Sequence, residues 1–117
     1  MSTRWEDITR HLTENGFDAY SPGISVGKCK EPYIVVKHAG SSRFTGISTN
    51  IDVYDLLIYV PKENYSELEV LVLKVKEVMK KLEPLVFPNG SETPSFYDDG
   101  FQAHMISIEY RNYKKML

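Results

Sequence analysis

The sequence holds a single cysteine, Cys29. No disulfide can form within the chain, and one thiol cannot build a zinc site alone. Long apolar runs are missing as well, which excludes a membrane-spanning helix at the sequence level. Fourteen Lys and Arg stand against sixteen Asp and Glu, a net charge of −2, and no basic block gathers the cations. Nucleic-acid binding needs clustered cations to neutralise phosphates, so neither sequence-specific nucleic acid nor a membrane surface is expected as a partner. The chain opens on a polar, helix-initiating stretch rather than a signal-peptide pattern, which predicts a soluble protein made in the cytoplasm. No internal repeat is visible.

What is present points to one domain, residues 1–117. A chain of 117 residues buries roughly two-thirds of its unfolded surface, enough for a core. Eight tyrosines are more than expected at this length. Tyrosine joins a large apolar ring to a polar tip and suits protein–protein surfaces, although it also suits strands.

Residues 3–15 read as an amphipathic helix. Thr3 with Glu6 has the form of a capping box, and Trp5, Ile8 and Leu12 share one face. Asn15-Gly16 stops it. Residues 17–32, with Pro22, Gly23, Gly27 and Pro32, read as loop holding at most a short strand. Residues 33–38 are rich in β-branched side chains and read as a strand, with 39–49 as an extended hairpin tip. The strongest strand is 50–60. Tyr54, Leu56, Ile58 and Val60 lie on one face, with Ile51, Val53, Asp55, Leu57 and Tyr59 on the other. Both faces are largely apolar, so helix is expected over one and a partner or second layer over the other.

Pro61 ends that strand. Ser66 with Glu69 forms a second capping box, and Leu68, Leu71, Val72, Val75, Met79 and Leu82 make the core stripe of a helix of about 17 residues. Residues 88–101 read as a loop with three carboxylates and three aromatics, with a short strand at 85–87 as an addition. Residues 102–113 close as a strand, with His104, Ile106, Ile108 and Tyr110 on one face. The order helix, strand, strand, helix, strand predicts an α+β fold. Its sheet, mixed or antiparallel, has about three to five strands with two helices packed on it.

Nothing in this pattern adds up to an active site. His11, His38 and His104 are far apart in sequence and none stands at metal-ligand spacing from another. His104, in an alternating strand, reads as a hydrogen-bonded core histidine rather than a catalyst. Asp52 and Asp55 are an odd offset apart and so face opposite ways. Glu92, Asp98 and Asp99 are the densest acidic group, but a two-metal nuclease needs carboxylates on rigid elements, and these sit among Gly, Pro and Ser. The stretch from Gly23 to Lys28 lacks phosphate-loop spacing. Lys28 and Lys30 flank Cys29 and favour a thiolate, yet no base partner accompanies it, and a plain small residue is the simpler reading. No catalytic residue, metal or cofactor is expected.

Three stretches carry a resemblance: CKEPYIVVKHAG, STNIDVYDLLIYVPKENYSELE and ETPSFYDDGFQAHMISIEYRNYKK. With the order of elements, they resemble the tail terminator or tail-completion proteins of long-tailed bacteriophages, often described as minor capsid proteins. The resemblance runs from Trp5 to Lys115 and is a pattern of stretches rather than a catalytic motif. It implies a structural protein of a phage, prophage or bacteriocin particle. Such a protein forms a homo-oligomeric ring, usually a hexamer, that caps the completed tail tube and offers the joint to head or neck. Tube, sheath and neck proteins are the implied partners, first in the host cytoplasm and then in the particle.

Three alternatives stand beside it. One is a head-closure or neck connector protein, another a monomeric α+β binding module. The third is a small metal-dependent enzyme using Asp52, Asp98 or Asp99 with His104. The candidate interface is the loop 92–101, with Phe96, Tyr97 and Phe101 as aromatic anchors beside Asp98 and Asp99. The contact is expected between subunits or with the tube, and Lys28, Lys30, Arg43 and Lys114 are cations elsewhere in the chain able to answer those carboxylates.

Overall fold

The computed structural model describes residues 4–22, 30–43, 49–82 and 86–115. Helix α1 (Arg4–Glu14) is followed by strands β1 (Ala19–Tyr20), β2 (Tyr33–Arg43) and β3 (Thr49–Pro61). A 3-10 helix (Lys62–Glu67) leads into α2 (Leu68–Lys80), and β4 (Phe87–Glu92), β5 (Phe96–Asp98) and β6 (Ala103–Lys115) complete the order. The strands form one mixed sheet in the order β1-β2-β3-β6-β4, with β5 also pairing β6. Among the described strands only β1 runs parallel to its neighbour, β2. The class is α+β with both helices packed on the sheet, as the sequence predicts.

The ends of α1 follow from local chemistry. Gly16 takes φ +91°. The amide of Phe17 donates to the Leu12 carbonyl at 3.1 Å, and that of Gly16 to the Thr13 carbonyl at 3.1 Å. This paired closure needs a left-handed residue, and Phe17 then packs back on the core. The proposed cap at Thr3 lies outside the described residues. At the start of α2 the Ser66–Glu69 capping box does not form. The chain leaves Pro61 through the 3-10 helix, kinked at Asn64, and α2 begins on Glu67 without a side-chain cap. The single long helix expected there is therefore a 3-10 segment joined to 13 helical residues.

Both helices cover one face. Ile8 and Leu12 from α1, with Leu68, Val72, Val75 and Met79 from α2, pack against Ile34, Val36, Leu56, Ile58, Ile106 and Ile108. The face of β3 carrying Tyr54, Leu56, Ile58 and Val60 is buried, as its alternation predicts. Leu71 and Leu82 lie at the rim, partly buried. Two polar ties orient α1. The Trp5 indole donates to the Val36 carbonyl at 2.6 Å, and His11 Nε2 donates to the Val78 carbonyl at 2.7 Å. Each such bond contributes about 1 kcal/mol net.

The segment 88–101 is not one loop. β4 begins at Phe87 and β5 follows four residues after Glu92, both against β6. Between them Thr93 ties to Ser107 twice: its amide donates to the Ser107 carbonyl, and its hydroxyl accepts from the Ser107 amide, each at 2.9 Å. Pairing with β6 overrides the Pro and Gly turn signals here, because strand formation is set by neighbours more than by local preference. Of the hairpin tip expected at 39–49, residues 39–43 belong to β2, which passes a bulge at Ala39 where Gly40 takes φ +122°, and 49 belongs to β3. Residues 44–48 lie outside the described residues.

Candidate functional site: two edges and an open face

Register determines which side chains share the face away from the helices. Tyr33 pairs with Tyr59, Tyr59 with Met105 and Met105 with Phe96. These four form one row across four strands. Tyr33 and Tyr59 stack with centroids 4.8 Å apart, and Tyr20 and Phe101 meet them edge-on at 5.8 Å each. Tyr33, Tyr59, Ala103 and Met105 are buried as a second cluster, with Tyr20, Val35, Leu57 and Phe101 packed around it. Offset and edge-on rings add about 0.5–1.5 kcal/mol per pair beyond their buried area. Phe96, at the far end of the row, remains 45% exposed.

Further along this face the rows become charged. Lys37 pairs with Asp55 and Asp55 with Glu109. Burial, then the charge of Glu109, push the Asp55 carboxyl above its ordinary value, and Lys37 offsets part of this. Arg111 Nε approaches Glu109 at 3.6 Å. Asp52 and Asp55 do face opposite ways: Asp52 lies on the helix side, buried, with His38 Nε2 at 3.6 Å.

The acidic aromatic segment divides its candidates between the two faces. Tyr97 pairs with His104 on the helix side, whereas Phe96 and Asp98 fall on the open side. Asp98 Oδ1 accepts the Phe101 amide at 3.1 Å and thereby closes the turn that leads into β6. Phe101 folds onto Tyr59. Asp99, at the tip of the turn, is exposed. His104 is not the hydrogen-bonded core residue its alternation suggests. It is half-buried between the rings of Tyr65 and Tyr97, at 4.6 and 5.2 Å. Tyr65 in turn shares a hydrogen bond of 3.0 Å with Ser95. This cluster borders an open cleft of about 310 Å³, lined by Tyr65, Glu69, Glu92, Thr93, Ser95 and Ile106.

Of the candidate cations, Lys28 lies outside the described residues. Lys30 is exposed, three residues before Tyr33. Arg43 pairs with Asn50 and Asn50 with Lys114, at the opposite end of the sheet from Asp98, which pairs with Ala103 level with Pro61. The rows of Asn50 and Pro61 are roughly 36 Å apart at about 3.3 Å per residue. The positions of Arg43 and Asp98 therefore lie at opposite ends of the sheet. Sequence reasoning missed Tyr20 and Tyr65, the first inside a supposed loop and the second ahead of a supposed helix. Their only signal is the tyrosine excess itself.

Among the described residues no three His, Cys, Asp or Glu side chains come together as a metal site. No described helix is long and apolar enough to cross a membrane. No protein-family model matches the chain, and no curated protein matches it.

Proposed function

We propose that this chain is a structural assembly protein that caps the completed tail tube of a phage-type particle. In this reading it acts as a ring, carries no catalytic activity and offers the joint to head or neck. It works in the bacterial host cytoplasm during assembly and then remains in the particle. The observation that carries the reading is the open sheet face, where an aromatic row reaches from Tyr33 to an exposed Phe96 at the β5 edge. A ring subunit must present two different lateral patches to its neighbours, and a sheet with two unlike edges supplies them. The sequence stretches that resemble tail terminators support the same role.

Particles assembled without this protein test it. Their tubes are expected to polymerise to irregular or excessive lengths and to join nothing further. Tubes of normal length that still fail to join heads would transfer the chain to the neck-connector role. Normal, fully joined particles would refute both.

A further inference from the structure

We infer that the occupant of the open β2 edge is a second copy of this chain, docked head-to-tail through its β4–β5 edge. The inference names the lateral contact of the proposed ring and rests on that reading for closure of the ring.

Two edges of the sheet are available. Among the described residues, β2 from Lys37 to Arg43 pairs only with β3, and β4 and β5 pair only with β6. Just before the open stretch of β2, the Trp5 indole already occupies the Val36 carbonyl. Beyond it, no strand among the described residues pairs with this edge.

Direction and level both match. β2 is antiparallel to β3, β3 to β6, and β6 to β4 and β5, so β2 and the β4–β5 edge run in opposite senses. Copies side by side around an axis along the strands therefore meet as antiparallel edges. Val36, Leu56, Ile108 and Glu92 form one row, so Val36 of one copy stands level with Glu92 of the next, both on the helix side of the sheet, while Lys37 falls on the open side. Tyr33, Tyr59, Met105 and Phe96 form another, so Lys30 comes to the same end as Asp98 and Asp99. That end thus opposes a cation to a carboxylate without a shift of register. Glu92 also holds Lys76, and Glu31 beside Lys30 is engaged within the chain.

The aromatic row continues across the junction. Tyr20 pairs with Val35 on the β1 side of the open face, and Phe96 ends the row on the β5 side. Head-to-tail docking brings the exposed Phe96 of one copy towards Tyr20 of the next. The bulge at Ala39 and the edge residue Lys37 discourage indiscriminate strand pairing. An edge protected in this way favours a partner matched in charge, and this chain's own opposite edge is one.

Sedimentation equilibrium of the full chain, up to millimolar concentration, tests the contact. The wild type is expected to associate, and Phe96→Asp to weaken association at least about tenfold. Phe96→Asp is read only with an unchanged melting curve. The decisive variants are Lys30→Glu and Asp99→Lys, both at exposed positions. Either alone is expected to weaken association, and a chain carrying both to recover it. A wild type that stays monomeric throughout overturns the inference, as does association indifferent to these three substitutions. A chain that associates as described and leaves tube lengths unaffected keeps the contact and overturns only the tube-capping role.

Discussion

The two faces of the sheet solve burial differently. Under the helices, Ile34, Val36, Leu56, Ile58, Ile106 and Ile108 are aliphatic and nearly or fully buried. The cover there comes from other elements, so branched side chains interdigitate with the helix stripes. On the open face, Tyr33, Tyr59 and Met105 are also buried, but aromatic neighbours on the same face, Tyr20 and Phe101, pack over them. The same face then gives way to the row of Lys37, Asp55 and Glu109. A helix-covered face specifies the fold, whereas a partly self-covered face with charges leaves surface for another molecule.

The contrast predicts a graded response to substitution. Removing bulk under the helices should have the largest effect: Ile58→Ala is expected to cost about 2–5 kcal/mol in denaturant unfolding. A loss below about 0.5 kcal/mol, the range of surface changes, would mean that the helices do not form the cover. On the open face, Tyr59→Leu keeps apolar bulk and removes the stack on Tyr33, for an expected loss of about 1 kcal/mol. A cost equal to that of Ile58→Ala would erase the distinction between the faces.

The smallest effect concerns pH. The folded protein holds the Asp55 proton more tightly than the unfolded chain does, because burial and Glu109 disfavour the carboxylate. Stability contributed by this group is therefore present at low pH. It is lost as pH rises from the ordinary carboxylate value through the raised one. Asp55→Asn should remove that decline, so unfolding curves collected from about pH 4 to 7 should fall less steeply in the variant. An identical slope in both proteins would show that Asp55 is not held against burial.

Much of this was legible from residue order. The alternation along β3, the stripe from Leu68 to Leu82 and the pattern of β6 all report burial on one face, and burial is what periodicity encodes. The stop at Gly16 is legible because a left-handed residue is a local requirement. β4 and β5 were not, since Pro88, Gly90 and Pro94 signal turns locally and only β6 makes the segment extended. The failed cap at Ser66 reflects the 3-10 entry from Pro61, which sequence spacing does not reveal. Among the candidate site residues, the aromatics and carboxylates of 92–101 could be named, but not their division. Asp98 serves its own turn and Phe101 its own face, while Phe96 and Asp99 face outward. That division depends on the register with β6, a long-range property.

The central claim is that this chain ends a tube. The most direct measurement adds the purified chain to the particle's own tube protein as it polymerises, and records tube lengths by electron microscopy. The expected result is shorter tubes of narrower length distribution, with extra density at one end only. Tubes of unchanged length, or density scattered along their walls, would contradict it.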